Sequence, residues 1–489
     1  MHRLQLNPKL SVSIIFVASM FMSIMDTTIV NVALPSLGRQ FGVPATSVDA
    51  VVVAYLVSLA VIIPVSGWLG DRWGTKRIFL FALALFTMSS ALCGLAGNLA
   101  LLVLFRALQG LAGGALTPVG QAILYRTFPP AERVQVSRVL IIPTVIAPAV
   151  GPILGGLLVD QLSWRWVFFV NVPIGIAALL FGLIFLPEHR EPGVGRFDLA
   201  GFLLAGIGLA FILYAMSEGS AYGWTSTSVF SSAIAGLLVL GAFVVIELRK
   251  REPMIDLRLF KNRLFRTANL VSMFASAGFL GVLFVGPLYL QEARGVSALT
   301  SGLTTFPEAI GVVLSTQVVA YLYPRIGPRR LMAAGLTGVA IVMALMCLMG
   351  SDTSLWLMRV LMFLTGAGMA YAMLPIQTAA FATISPSSMG QASALNGAQR
   401  QLGAAIGIAV LSSVISAVGP THLSVTGIAQ PNLLAYQAAF LAASLLALTA
   451  ASIALAVSDR DASVTMKHQA SPITHDETSE QLSSEEVHL

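Results

Sequence analysis

Asp26, Arg106, Glu308 and Arg400 are ionisable side chains set inside long apolar stretches of this chain. An ionisable group at the centre of a membrane helix costs on the order of 2.5–3.5 kcal/mol on insertion scales, so each is a functional hypothesis by default. Asp26 has no Lys or Arg within a turn of itself, and Ser23 stands three residues before it on a neighbouring face. A carboxyl so placed suits reversible protonation from either side of an apolar barrier; the alternative is a carboxylate held permanently by hydroxyl groups. Arg106 keeps its proton at any useful pH. It can therefore bias nearby protonation and stabilise an anionic carboxylate, or serve as a structural tie to backbone carbonyls. Glu308 follows Pro307, and a proline of this kind frees a backbone carbonyl, which is tolerated beside a cavity or a packed neighbour. Glu308 is thus a second carboxylate for a proton or a cationic substrate, or an acid reaching the outer surface near Glu292. Asn396 and Arg400 are four residues apart and share a helical face; they could line a cavity or tie helices together.

Other groups offer mechanics rather than proton chemistry. Asp71 and Arg72 lie between Gly70 and Gly74, in what reads as a short turn. A turn can set a carboxylate against a helix N-terminus or an arginine of a facing bundle, a contact that would act as a latch. Pro143, Pro148 and Pro152, with Gly151, Gly155 and Gly156, fall within one apolar run. A small-xxx-small face allows close helix contact and prolines bend a helix, so this segment is expected to pack tightly and to gate.

The elements that must position these residues follow from composition. Of 489 residues, 56% are hydrophobic and 10% charged, and mean hydropathy is +0.85. A soluble chain carries about 25% charge, and a single core stops growing near about 250–300 residues. Lipid must be the solvent for most of this chain, which excludes a soluble enzyme, a nucleic-acid binder and a secreted disulfide scaffold. Cys93 and Cys347 lie in apolar runs and read as small hydrophobes.

With a window of about 20 residues, fourteen spans emerge, near 11–34, 47–69, 77–97, 99–124, 135–159, 165–186, 198–217, 228–247, 266–291, 301–322, 330–350, 355–380, 391–417 and 434–457. Of the 28 basic residues, 22 fall in the termini, the even-numbered loops or the adjoining helix ends, which predicts both termini in the cytoplasm. The segment 247–266 is expected to form an interfacial helix, with Leu257, Phe260 and Leu264 on one face. The stretch from Asp459 onward holds seven acids and two bases and is expected to be disordered.

An internal repeat organises the spans. Asp71-Arg-Trp-Gly-Thr-Lys-Arg77 is similar to Pro324-Arg-Ile-Gly-Pro-Arg-Arg330 at an offset of 253, where Arg106 also meets Arg359 and Gly113 meets Gly366. Near 252, Gly151 and Gly155 meet Gly403 and Gly407. The fold class expected is all-α and polytopic: a six-helix bundle over 1–190, two inserted helices over 191–250, a second six-helix bundle over 251–458 and a tail over 459–489. Parallel bundles facing each other across a midplane cavity are the architecture of a rocker-switch secondary transporter.

Gly67-Trp-Leu-Gly-Asp71-Arg72-Trp-Gly74-Thr-Lys76 resembles the loop 2–3 signature of the major facilitator superfamily. Met25-Asp26-Thr-Thr-Ile-Val-Asn31-Val-Ala-Leu-Pro35 resembles the helix 1 signature of its fourteen-helix drug:proton antiporter branch. Arg106-Ala-Leu-Gln-Gly110 is similar to the helix 4 motif, and Gly151-Pro152-Ile-Leu-Gly155-Gly156, with Pro148 before it, to the helix 5 antiporter motif. Thr75 and Ala147 depart from residues common in those motifs, and Asp49-Ala50 stand where the family has a tryptophan. The resemblance implies proton coupling through Asp26, Arg106 and Glu308 and a cytoplasmic gate at Gly67, Asp71, Arg72, Gly74 and Lys76. Asn31, Asn396 and Arg400 are then candidates to line the cavity.

No GxxxxGK[ST] loop is present, and the six histidines lie in tails or loops. The expectation is a proton-coupled antiporter, not an enzyme. It would expel amphipathic, cationic compounds, with no cofactor beyond the proton gradient and no nucleic-acid partner, as a monomer in a bacterial inner membrane. A dedicated exporter of one metabolite or peptide is the alternative on the same fold; a membrane sensor or scaffold is the remote one.

Overall fold

The computed structural model describes residues 7–43, 48, 50–129, 132–191, 197–250, 253, 255–419, 421–423 and 429–466, with some helical side chains excepted. Asp49, the acidic stretch 467–489 and the side chain of Pro152 lie outside the described residues.

Among these residues, thirteen helices are long and apolar enough to cross a membrane, and Ile146–Val159 forms a shorter apolar stretch within a further helix. Numbered by span, the first half runs α1 (Pro8–Phe41), α2 (Ala50–Trp73), α3 (Thr75–Leu95), α4 (Leu99–Thr127), α5 (Arg133–Gln161) and α6 (Trp166–Phe185). The inserted pair is α7 (Leu199–Tyr222) and α8 (Thr227–Arg249). The second half runs α9 (Arg263–Leu288), α10 (Pro307–Ile326, after a short helix Ala298–Thr305), α11 (Pro328–Met346), α12 (Leu355–Ala380), α13 (Met389–Val418) and α14 (Leu433–Ala454). A two-stranded hairpin pairs Thr421–Leu423 with Ala429–Pro431.

The starts are set by local chemistry. Asn7, Asn98, Asp198 and Asn262 each accept a hydrogen bond from a first-turn amide of α1, α4, α7 and α9, satisfying donors that a helix start leaves open. Leu237 and Leu238 of α8 are 65% and 69% exposed, and only 17% of that helix's apolar window is buried in protein. A face this apolar needs lipid as its solvent. The protein is a multi-pass membrane protein.

Two bundles result. In the first, α1 packs on α5 and α2 on α4, while α3 and α6 close the set; in the second, α9 packs on α13 and α14, α10 on α12, and α11 on α12 and α14. The pairing of α1 with α5 is repeated as α9 with α13, and that of α2 with α4 as α10 with α12. Glycines let these pairs approach. A Cβ at Gly151 would stand 2.0 Å from Thr28 Oγ1, and one at its repeat mate Gly403 would stand 2.4 Å from the Met273 carbonyl oxygen. A Cβ at Gly407 would stand 2.0 Å from the Ala277 carbonyl oxygen, while one at Gly155 would be less crowded, 3.0 Å from Ile29 Cγ1 and the Ile29 carbonyl oxygen. The bundles meet where α13 lies against α2 and α4, and where α5 lies against α10 and α12; α7 bridges α2 and α13.

Three expectations change. The segment 247–266 is not one amphipathic helix: Asp256 caps a single 3₁₀ turn, Leu257–Lys261, and Asn262 starts α9 at Arg263, which buries Leu264. Asp71 and Arg72 are not in a turn, because α2 stays helical through Trp73 and the chain reverses at Gly74, with φ 104°. Residues 459–466 are ordered against α10 and α11. Asp459 accepts from the Arg329 amide at 2.9 Å, and Thr465, 2% exposed, shares a 2.9 Å hydrogen bond with the buried Tyr323 hydroxyl.

Candidate functional site

Within the first bundle, α1, α4 and α6 bring their polar side chains to one dry point. Asp26 and Arg106 form an ion pair, 0% and 1% exposed. Asp26 Oδ1 also accepts from Gln109 Nε2 at 3.0 Å and Asn171 Nδ2 at 2.9 Å. Arg106 Nη1 donates to Gln109 Oε1 at 2.8 Å, and its guanidinium lies 4.1 Å from the Tyr55 ring centroid. Asn171 further donates to Ser90 Oγ at 3.1 Å, and Ser90 in turn to the Phe168 carbonyl. A buried ion pair endures only when its remaining donors and acceptors are satisfied, and here Gln109, Asn171 and the Val51 carbonyl, which accepts from Arg106 Nε at 3.4 Å, hydrogen-bond to it. Gln109 lies within the helix 4 motif, three residues after Arg106. Asn171 carries no sequence signal beyond being polar near a span.

The second bundle does not repeat this centre. At the 253-residue offset, Asp26 becomes Phe279, Tyr55 becomes Glu308 and Arg106 becomes Arg359. Arg359 stacks on Trp356, at 4.6 Å from its ring centroid. Glu308, 5% exposed, stands in the first turn of α10 against α12: a Cβ at Gly366 would be 2.0 Å from its carbonyl oxygen. Its Oε1 has no hydrogen-bond partner among the described residues. The helix breaks at Phe306, and Thr304 and Thr305 hydroxyls donate to carbonyls of the preceding turn. Glu308 is buried and does not reach the surface; Glu292 is exposed, and Tyr436 Oη donates to it at 2.9 Å.

At the end where the described chain begins and finishes, the basic end, the bundles are tied together. A Cβ at Gly67 would stand 2.4 Å from the Gly390 carbonyl oxygen, and one at Gly390 would stand 2.6 Å from Asp71 Oδ2. The Asp71 carboxylate therefore covers the first turn of α13, where a negative charge is favoured. Arg126 Nη2 donates to Asp71 Oδ1 at 2.8 Å, and its Nε to the Pro386 carbonyl at 3.1 Å. Tyr125 stacks on Phe381 at 4.4 Å, Ser137 and Thr378 hydroxyls meet at 2.8 Å, and Arg133 donates to the Phe381 carbonyl. Lys76 Nζ donates to the Leu183 carbonyl and Glu188 accepts from the Lys76 amide. Arg72 is exposed.

Above this layer a small cavity of about 30 Å³ lies between the bundles, lined by Met20, Gln121, Ser276, Met373, Gln377 and Arg400, among others. Of the expected lining residues, only Arg400 reaches it. Asn396 donates to Asn269 Oδ1 at 2.9 Å and ties α13 to α9. Asn31 is exposed on α1, about 140° around the helix from Asp26. In α5, Gly156 has open space around its Cα, unlike Gly151 and Gly155, and Pro148 is half-buried.

A family model, that of the Major Facilitator Superfamily, matches residues 16–408 and 309–472. The chain is 35% identical over 399 residues to a multidrug resistance protein B homolog of Mycobacterium tuberculosis, covering 81% of this chain and 74% of that one. It is 30% identical over 406 residues to an Escherichia coli protein named putative multidrug resistance protein MdtD, covering 83% and 86%. Among solved structures, that of the human organic anion transporter MFSD10 (TETRAN) superposes with a TM-score of 0.66 at 17% identity, over 92% of this chain and all of that one. That last likeness is one of fold.

Proposed function

We propose, since this chain belongs to the major facilitator superfamily, that it is a drug exporter working by alternating access and driven by proton antiport. The relatives' names as multidrug resistance proteins support the export of foreign compounds. One observation carries the mechanism. A cavity lined by both bundles lies directly above a layer of contacts between them that a relative tilt of the bundles would have to break. In this reading the basic end faces the cytoplasm of a bacterial inner membrane, and the conformation is the one closed on that side.

Asp26 and Arg106 are the proposed coupling pair. Protonation of Asp26 would cancel the attraction to Arg106 and loosen the links among α1, α4 and α6. Asp71 with Gly67, Gly74 and Lys76 forms the cytoplasmic gate, and the α5 face at Gly151 and Gly155 is the tightly packed pivot against α1. The substrates are amphipathic compounds, which the methionines of the cavity suit through adaptable contact. A cationic preference, the reading drawn from sequence, would have to come from Glu308, because Asp26 is already neutralised by Arg106.

Substrate-dependent proton flux in proteoliposomes, across a panel of amphipathic compounds, tests this function. Wild-type protein should release protons in exchange for compound, and Asp26→Asn should abolish uptake driven by a pH gradient while keeping its fold. Full gradient-driven uptake in Asp26→Asn would remove Asp26 from the coupling.

A further inference from the structure

Among the described residues, the lining of the cavity includes a guanidinium, that of Arg400, and no carboxylate. Arg400 lies on α13, eleven residues beyond its first residue, Met389, which is about 16 Å of rise and roughly mid-membrane. No hydrogen bond or ion pair engages its guanidinium among the described residues. Around it stand Gln121 of α4, Ser272 and Ser276 of α9, and Gln377 of α12, with apolar walls from Met20, Ile141, Met369 and Met373. The side-chain oxygens of Gln121 and Gln377 are buried and also have no hydrogen-bond partner there.

The embedded acids are turned elsewhere. Both Asp26 oxygens are held inside the first bundle, and Glu308 is buried where α10 meets α12. A cation in a cavity of low polarity is kept without a partner only at considerable cost, and such a residue marks a substrate or ion path. Its five N–H donors suit a carboxylate or a similar oxyanion in a two-pronged arrangement. Two amides and two hydroxyls can donate through N–H and O–H, while the unpartnered amide oxygens accept, which suits a ligand that carries a donor beside its acidic group; a cationic headgroup alone would meet repulsion from Arg400.

We infer that Arg400 is the specificity-determining residue of the cavity and that it receives an acidic group, so that the preferred substrates are amphipathic carboxylates or zwitterions presenting a carboxylate. At about 30 Å³ the cavity admits little beyond the acidic group in this conformation, and the rest of the molecule would enter along the apolar walls as the bundles part. This rests on the export reading above, but concerns binding alone.

Equilibrium binding to the purified full chain in detergent tests it, with three fluorescent probes sharing one anthracene ring: a carboxylate, its neutral amide and a methylammonium. The carboxylate should bind wild-type protein most tightly. Arg400→Gln should weaken it at least about tenfold, leave the amide within about twofold, and improve the methylammonium. Arg400→Lys, which keeps the charge but not the planar fork, should recover part of the loss. Matching thermal unfolding of the variants separates lost recognition from lost fold. Tighter binding of the methylammonium to wild type, no preference among the probes, or carboxylate affinity unchanged in folded Arg400→Gln would overturn the inference. Proton-coupled export with binding indifferent to Arg400 would leave the function standing and this inference fallen. Arg400-dependent binding without proton flux would do the reverse.

Discussion

Asn171 Nδ2 lies 2.9 Å from Asp26 Oδ1, joining α6 to α1 at an ion pair that the first bundle encloses completely. The same amide reaches Ser90 on α3, so a single side chain holds three helices in register around the charge. Asn171→Leu keeps the volume and removes both donors. It should lower stability by about 1–3 kcal/mol, read as a fall in the thermal unfolding temperature in detergent. An unchanged temperature would show that Asn171 is only packing.

Removing one partner of the ion pair should be worse than removing both. Arg106→Gln leaves Asp26 buried without its counter-charge and should cost about 3–5 kcal/mol. The combination of Asp26→Asn with Arg106→Gln should recover most of that loss, since two neutral amides can pair. Thermal unfolding of the two single variants and the double variant measures the coupling. Additive losses would contradict the pairing.

Asp71→Asn removes a charge that meets both Arg126 and the first turn of α13. The contact is worth about 1–2 kcal/mol to the closed gate, so the open fraction should rise about tenfold. A cysteine at Ser276, in a background with Cys93 and Cys347 replaced by serine, should then alkylate correspondingly faster from the basic end. Unaltered labelling would end the latch reading.

Gly407→Ala and Gly156→Ala are chemically the same change with opposite expectations. The new methyl at 407 would press on the Ala277 carbonyl, backbone that cannot swing aside, and should destabilise by about 1–3 kcal/mol. At 156 it meets open space, and should be neutral or stabilising by up to about 1 kcal/mol. Thermal unfolding of the pair distinguishes interface glycines from incidental ones.

The spans, the repeat and the major facilitator fold were legible because each span needs some twenty apolar residues and lipid allows few exceptions. For the same reason Asp26 and Arg106 stood out. Most of their partners did not: Gln109 sits three residues after Arg106 on α4, but Tyr55, Ser90 and Asn171 are polar groups on three other helices, and no spacing along the chain announces that they converge. Asn396 and Arg400 share a face, yet one is bound by Asn269 and the other reaches the cavity. That difference depends on side-chain length and on α9, neither of which the four-residue spacing encodes. The interfacial helix failed on its caps. Asp256 and Asn262 both stop helices as readily as they start them, and each accepts from amides two or three residues on.

At the basic end the two bundles meet through main chain at Gly67 and Gly390, with no side chain between them. The spacing of that closed joint is therefore set by peptide geometry, which no choice of rotamer can adjust. It also means that what these two positions contribute is emptiness. One added methyl at Gly67 is a wedge, its carbon placed only 2.4 Å from the Gly390 carbonyl oxygen. Such a variant offers a chemical handle for propping the molecule in the opposite conformation, where the far side of the same cavity could be seen.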